Sequence, residues 1–357
     1  MLDLAPHFWA ARYNRGKVRH RKAERLVAAG RTREAAAEWD AALSDYAEIL
    51  KSLPRNAQVI AAAGEARLAR GDPKGAIDAF TAAITVGPAP ALLYVFRGNA
   101  QYAAGDYDAA LADYGKAVQI DPACTEALVG RGNARYMKRD YDGAVADYTK
   151  AIALAPRYAR AYAGRALAFN RKRDFDAAHA DFTRAIEIEP RHPRAHFNRG
   201  VVSANRGDLA GAIEDYTRAI EIEPRDADAY INRAQARKTR GDIPRAIDDY
   251  TGTIMIRPRF AEAYNNRAEA RLTAGDLRGS LRDCVEAIGI NPRMPEAHAL
   301  RGLVREALAR RESSCRREHL VNAAADLDTA LRLGSPRWHL RVLAESVLRR
   351  VREESRK

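Results

Sequence analysis

Large apolar residues, small residues and prolines return along this chain at a fixed interval. Prolines stand at 54, 88, 122, 156, 190, 224, 258 and 292, a step of 34 repeated seven times in succession. Between them the segments share one text, as in HFNRGVVSANRGDLAGAIEDYTRAIEIEP (196–224) and YINRAQARKTRGDIPRAIDDYTGTIMIRP (230–258). With each unit numbered so that its proline is position 32, a large residue falls at position 4 (Tyr94, Tyr162, Tyr230, Tyr264) and Gly or Ala at position 8 (Gly98, Gly132, Ala166, Gly200). Ala follows at positions 20 and 27, and an aromatic at 24 (Phe80, Tyr114, Tyr148, Phe182, Tyr216, Tyr250). Steps of three and four place these residues on one face of each of two helices. The small residues let the helices approach and the aromatics fill the remaining gap. Asp at position 16 (Asp72, Asp106, Asp140, Asp174, Asp208, Asp242, Asp276) predicts the N-cap of the second helix, often after a Gly that ends the first.

Over nearly the whole chain this text resembles the tetratricopeptide repeat. The resemblance implies an all-α fold, a right-handed α-solenoid (superhelix) of stacked helix-turn-helix hairpins with a C-terminal capping helix. The period divides the chain into the tail of a truncated preceding repeat at 1–8, an extended first repeat at 9–56, and repeats at 57–90, 91–124, 125–158, 159–192, 193–226, 227–260 and 261–294. A ninth repeat at 295–337 carries an inserted polar loop, ARRESSCRR (309–317), and 338–357 supplies the capping helix and tail. In the first repeat the hairpin glycine, Gly30, comes seven residues late. Seven residues are about two helical turns, so both helices can lengthen without rotating their buried faces. Pro6 falls at position 32 of a unit whose other residues are missing, and RYNRG (12–16) matches HFNRG (196–200). Either the recorded start lies inside a longer gene or a vestige of helix caps the stack. Similar bacterial arrays follow a kinase or other catalytic domain, which favours the first reading.

Position 7, commonly Leu in this family, is Arg in eight of the nine repeats: Arg15, Arg97, Arg131, Arg165, Arg199, Arg233, Arg267 and Arg301. Position 23 is Asp in the same eight: Asp45, Asp113, Asp147, Asp181, Asp215, Asp249, Asp283 and Asp326. The repeat that lacks the Arg, with Ala63, also lacks the Asp, with Ala79. Joint loss is what an ion pair requires, because a lone charge near a core costs several kcal/mol. The alternative is a ladder of arginines for anionic ligands.

In the family the concave wall is made by the first helix of each hairpin, at positions 2, 5, 6, 9, 12 and 13. Mapped residue by residue, position 6 is Asn198, Asn232 and Asn266 in three successive repeats, and Asn14 near the start; position 9 is Asn99 and Asn133. An Asn amide offers a donor and an acceptor, the complement of a peptide group, so spaced Asn side chains can hold an extended backbone. This resembles the asparagine ladder of the O-linked N-acetylglucosamine transferase superhelix. The same wall carries Phe96, Tyr102, Tyr136, Phe197 and Ile231, which suit apolar side chains of a bound peptide or packing between repeats. Leu92, Val95, Val129, Met137 and Val201 lie on it too. The resemblance therefore implies a scaffold that binds an extended peptide or partner protein in its groove. The family's chaperone-tail clamp needs a Lys and Asn pattern that no three consecutive repeats show, which argues against that adaptor role.

Charge and chemistry change this picture little. The net charge of +13 sits at the ends, with nine Lys or Arg against three acids in 1–34 and fourteen against eight in 301–357, so the middle is nearly neutral. That distribution argues against tracking nucleic acid, although RNA binding through the basic ends remains a second alternative to the scaffold, beside a regulatory tail of a larger multidomain enzyme such as a bacterial Ser/Thr kinase. No phosphate loop, metal-spaced cluster or activated nucleophile is visible, so neither enzyme activity nor a cofactor is expected. His196 replaces the core Tyr of position 4, and Cys284 takes the aromatic position 24. Cys315 is expected at the surface beside Arg316 and Arg317, which favour its thiolate, and RRES (310–313) resembles a basophilic kinase site at Ser313. Three scattered cysteines, no membrane-length apolar run and no signal segment point to the cytoplasm, with no membrane insertion.

Overall fold

A computed structural model describes residues 6–335 and 338–355. Among the described residues the regular structure is helical: nineteen α-helices and one short 3-10 turn, joined by tight connections. The chain divides into two compact units, 1–188 and 189–357. Unit 1 contains five hairpins: α1 (Pro6–Ala28) with α2 (Thr32–Ser52), α3 (Ala57–Ala69) with α4 (Pro73–Thr85), α5 (Ala91–Ala103) with α6 (Tyr107–Ile120), α7 (Thr125–Met137) with α8 (Tyr141–Leu154), and α9 (Ala159–Arg171) with α10 (Phe175–Ile188). Unit 2 holds α11 (Pro193–Asn205) with α12 (Leu209–Ile222), α13 (Ala227–Thr239) with α14 (Ile243–Ile256), α15 (Ala261–Thr273) with α16 (Leu277–Ile290), α17 (Pro295–Arg311) with α18 (Arg316–Leu333), and a final helix, α19 (Arg341–Ser355). Within each unit every helix packs on the next in sequence, and first helices such as α5, α7 and α9 also touch one another. The architecture is thus all-α, built of sequential hairpins.

The expected aromatics form the middle of each hairpin. Tyr114, Tyr148, Tyr216, Tyr250, Phe80 and Phe182 are fully buried, ringed by alanines at positions 20 and 27. Gly132 shows why position 8 is small: a Cβ there would lie 2.8 Å from the ring of Tyr148, so any larger residue displaces the ring. The position 16 aspartates cap the second helices, accepting from the backbone amide three residues on, as Asp106 does from Ala109 at 3.0 Å and Asp276 from Gly279 at 2.8 Å. Just before them the chain turns through the left-handed region, at Gly105 with φ of 83° for example. Two hairpins place Arg there instead, Arg139 at 64° and Arg173 at 65°.

Two expectations need correction. The division drawn after residue 8 falls inside a helix, because Pro6 is the first residue of α1. A proline lacks the amide that the first helical position leaves unused, and so fits that position. The insertion at 309–317 is not mainly a loop: α17 has 17 residues against 13 in α15, and α18 has 18 against 14 in α16. Only the turn around Ser313–Cys315 separates them. The Arg-rich text of that insertion has good helix propensity, and hairpin packing continues along it. Residues 1–5 of the expected preceding-repeat tail lie outside the described residues.

Candidate functional site

The first helices carry most of the candidate residues, and the ion pairs fix those helices against their partners. In all eight repeats with position 7 Arg, its Nε and Nη2 donate to the two carboxylate oxygens of the position 23 Asp in the same hairpin. Arg97 reaches Asp113 at 2.7 Å twice, and Arg267 reaches Asp283 at 2.9 and 2.7 Å. The aspartates are buried, Asp283 to 2% exposure. The arginine side chains are 11–22% exposed beyond the first repeat, where Arg15 is more open. Bidentate bonds to a charged partner are the strong class, and they hold the Arg97, Arg131, Arg165 and Arg199 guanidiniums above their ordinary pKa. These arginines are therefore engaged with carboxylates.

A second arginine, at position 11, joins five of these pairs. Arg19, Arg135, Arg237, Arg271 and Arg305 each place Nη1 2.6–2.8 Å from the same aspartate. Position 7 arginines also reach back to a threonine of the preceding hairpin, as Arg97 does to Thr81 at 3.2 Å, and Arg165 to Thr149, Arg233 to Thr217 and Arg267 to Thr251 at 3.0 Å. One side chain thus ties together the helices of a hairpin and the hairpin before it. Where Ala63 and Ala79 replace the pair, both are buried. In the α11–α12 hairpin, position 11 is Ser203 and the aspartate faces a histidine instead. Burial pushes the Asp215 carboxyl up, but His196 and the Arg199 guanidinium outweigh it and hold the group below its ordinary value. His196 Nδ1 stands 3.6 Å from that carboxylate, and its Nε2 lies 3.0 Å from the carbonyl of Pro190.

The asparagines divide into two kinds. At position 9, Asn99 and Asn133 each accept, at 2.7 Å, the hydroxyl proton of the buried tyrosine in their own hairpin, Tyr114 and Tyr148. Gln235 does the same for Tyr250 at 3.2 Å. Their amide groups satisfy the core as well as facing outward, a role the sequence pattern did not suggest. At position 6, Asn198, Asn232 and Asn266 lie on α11, α13 and α15 of unit 2, all partly exposed. Asn232 donates to the carbonyl of Asp228 one turn back at 2.8 Å. Among the described residues Asn198 and Asn266 have no hydrogen-bonded side-chain partner.

The apolar candidates are half-buried and already in contact. Phe96 packs on Phe80 with ring centroids 5.7 Å apart, Phe197 on Tyr216 at 5.7 Å, and Ile231 beside the cluster of Ala234, Ala246 and Tyr250. Tyr102 meets Tyr107 at 5.3 Å, and Tyr136 meets Tyr141 at 5.6 Å, while Arg171 Nε donates to the Tyr136 hydroxyl at 2.9 Å. Part of each of these side chains is therefore spent on packing and part faces solvent. Cys284 is buried, and burial pushes its thiol up to about 12; Cys315 is exposed in the α17–α18 turn. Among the described residues no group of His, Cys, Asp or Glu is arranged to hold a metal ion, and no helix is long and apolar enough to cross a membrane.

Family models described as tetratricopeptide repeat match residues 20–91, 61–125, 95–159 and 129–178, and a further one matches 165–237. Together they run over more than half of the chain. The chain belongs to the tetratricopeptide repeat family. Tetratricopeptide repeats generally mediate protein interactions, and arrays built only of them are typical of non-catalytic scaffolds. No curated protein matches this sequence. Among solved structures, this tetratricopeptide repeat chain is similar to pilF of Pseudomonas aeruginosa, at 17% identity over 58% of this chain and 94% of that one, with a TM-score of 0.52. It is also similar to a chain of the APC/C hetero-tetramer Cut9–Hcn1, at 14% identity over 88% of this chain and 59% of that one, with a TM-score of 0.51. YrrB, described as a TPR protein with an unusual peptide-binding site, shows 20% identity over 52% of this chain and 95% of that one, with a TM-score of 0.47. At these identities the likeness is one of fold.

Proposed function

We propose that this tetratricopeptide repeat protein is a non-enzymatic scaffold whose first-helix wall holds an extended peptide segment of a partner protein. The observation that carries the reading is the row Asn198, Asn232 and Asn266, one residue from each of three consecutive first helices in unit 2, each partly exposed. A side-chain amide can pair with a peptide group whatever the bound residue is, so such a row grips a backbone and leaves choice of sequence to its apolar neighbours, here Phe197 and Ile231. In unit 1 the corresponding neighbours are Phe96, Tyr102 and Tyr136, beside Asn99 and Asn133. The free thiols of Cys124, Cys284 and Cys315 fit a reducing, cytoplasmic setting.

Each amide bond to a bound backbone contributes about 0.5 to 1.5 kcal/mol. Peptides selected on the wild-type protein from a random displayed library should therefore bind the Asn198→Ala/Asn232→Ala/Asn266→Ala variant at least about tenfold more weakly, since 1.4 kcal/mol is a decade. The helical melting curve should be nearly unchanged. Unaltered affinity for every selected peptide would remove the asparagine row from the site.

A further inference from the structure

Position 9 of the first helix is acidic twice, at Glu65 on α3 and at Glu269 on α15. The two carboxylates keep different company. Glu269 accepts at 2.7 Å from the ammonium of Lys238, which stands at position 12 of the preceding first helix, α13, and is itself largely covered. For Glu65 the corresponding residue, position 12 of α1, is His20, whose Nε2 lies 3.5 Å from Glu24 one turn further along α1. Glu65 has no hydrogen bond or ion pair among the described residues. It is partly open to solvent, yet the protein around it desolvates its carboxyl and holds it above its ordinary value, although the charges of His20 and Lys17 pull the other way.

A cleft of about 280 Å³ lies beside this carboxylate, between α1 and α3, two helices that touch. Glu65 lines it from α3, and Tyr13, Lys17, His20, Arg21 and Glu24 line it from α1. Tyr13, Lys17, His20 and Arg21 are positions 5, 9, 12 and 13, so the cleft belongs to the first-helix wall. Small-molecule sites run from about 300 to 1,000 Å³, so this one suits a single side chain rather than a whole ligand. The cations already present leave it open: the Lys17 ammonium sits 5.7 Å from the centre of the Tyr13 ring, and Arg21 is exposed. Exposed cations stay hydrated at little cost, whereas a desolvated carboxylate without a partner is the group whose demand is unmet.

We propose that this cleft takes a lysine side chain from an extended segment of the partner protein, with its ammonium on the Glu65 carboxylate in the place that Lys238 fills for Glu269. A covered lysine ammonium on a position 9 glutamate is thus already part of the fold once, supplied in unit 2 by the chain itself and in unit 1 by the partner. A hydrogen bond between charged groups is stronger than a neutral one, so the contact separates lysine from an apolar residue of the same length. The inference rests on the scaffold reading, because the cleft lies at groove positions, and it adds a side chain that the partner must carry. The asparagine row accepts any backbone; Glu65 chooses among sequences.

The test pans a random displayed peptide library on the full chain at neutral pH, with counter-selection on Glu65→Gln. Glutamine occupies position 9 naturally at Gln235, so this variant should keep its fold, which circular dichroism checks. The surviving peptides should carry a lysine at a shared register. Resynthesised with fluorescein and titrated by anisotropy, they should lose about tenfold or more in affinity when norleucine replaces that lysine, and as much on Glu65→Gln, with no further loss when the two changes are combined. Lys17→Gln removes a neighbouring cation and should tighten the lysine peptides. The proposal is overturned if no peptide survives counter-selection, if the survivors lack lysine, or if norleucine costs as much on Glu65→Gln as on the wild type. Acidic survivors that Lys17→Gln weakens would overturn it in favour of a carboxylate held by Lys17 and Arg21. Peptides taken without counter-selection that need Asn198, Asn232 and Asn266 but ignore Glu65 would keep the scaffold reading and sink this one.

Discussion

The contrast between hairpins with one arginine on their aspartate and hairpins with two leads to a quantitative prediction. In the α9–α10 hairpin, Asp181 is 7% exposed and its carboxylate is held by Arg165 at 2.7 and 2.8 Å, with Phe169 at the position where other repeats place a second arginine. Arg165→Leu would strand a buried carboxylate and should cost about 3 to 5 kcal/mol. In the α15–α16 hairpin, Asp283 would keep Arg271 at 2.8 Å after Arg267→Leu. There the loss is bonds to a charged group rather than the whole compensation, about 1.5 to 3 kcal/mol. Arg165→Leu/Asp181→Ala, which imitates the buried Ala63 and Ala79, should recover much of the first loss. Urea titrations followed by circular dichroism, with hydrogen exchange on α9 amides to localise the effect, would give the cycle. A coupling between Arg165 and Asp181 below about 0.5 kcal/mol, or equal costs for Arg165→Leu and Arg267→Leu, would refute the account.

Burial pushes the hydroxyls of Tyr46, Tyr114, Tyr148, Tyr216 and Tyr250 well above the ordinary tyrosine value. The folded chain thus holds protons the unfolded chain releases, so their contribution to stability is present below about pH 10 and falls as pH rises, by about 1.4 kcal/mol per unit per tyrosine. Tyrosinate absorbance from these residues should appear only together with loss of helix; ionisation with the helix signal intact would contradict the burial. Ellman's reagent should label Cys315 in the native protein and reach Cys124 and Cys284 only on unfolding, because those two are buried. Arg139→Gly relieves a left-handed backbone that costs a non-glycine residue about 1 to 2 kcal/mol, more than the added freedom of glycine in the unfolded chain takes back, so the urea midpoint should rise; a drop would mean the arginine side chain stabilises the turn.

Much of this architecture is readable from residue text because each repeat states it again. The step of 34 locates the helix pairs, and the shared loss at Ala63 and Ala79 identifies the ion pair before any geometry is known. What escaped the pattern are side chains with two roles. The repeat pattern assigned no role to the arginines at position 11, yet Arg135 and Arg271 bring a second guanidinium to the aspartate. Asn99 and Asn133 look like wall residues, and the hydroxyl that claims each of them is fifteen residues away on the other helix. The repeat text does not reveal that link, because Tyr114, Tyr148 and Tyr250 have Asn or Gln at position 9 but Tyr216 has Val201 and Tyr46 has Lys17. The tyrosine contacts were half visible: Tyr102 and Tyr136 stood on the wall, but their partners Tyr107 and Tyr141 belong to a different helix and to no groove position.

The lengthened hairpins at the two ends bear on how such a chain can change over generations. In α17 and α18 the extra length is four residues on each side, and α2 exceeds α6 by seven, 21 residues against 14. Four is close to one turn of helix and seven close to two; the increase is equal on α17 and α18, while α1 has 23 residues against 13 in α5, the first three of them, 6–8, lying before the first repeat as the period draws it. An inserted segment of two or five residues would turn the distal part of a helix by more than a quarter revolution and carry its alanines out of the seam. Insertions and deletions in descendants of this gene should therefore arrive in paired lots of whole turns, with intermediate lengths confined to the connections between hairpins.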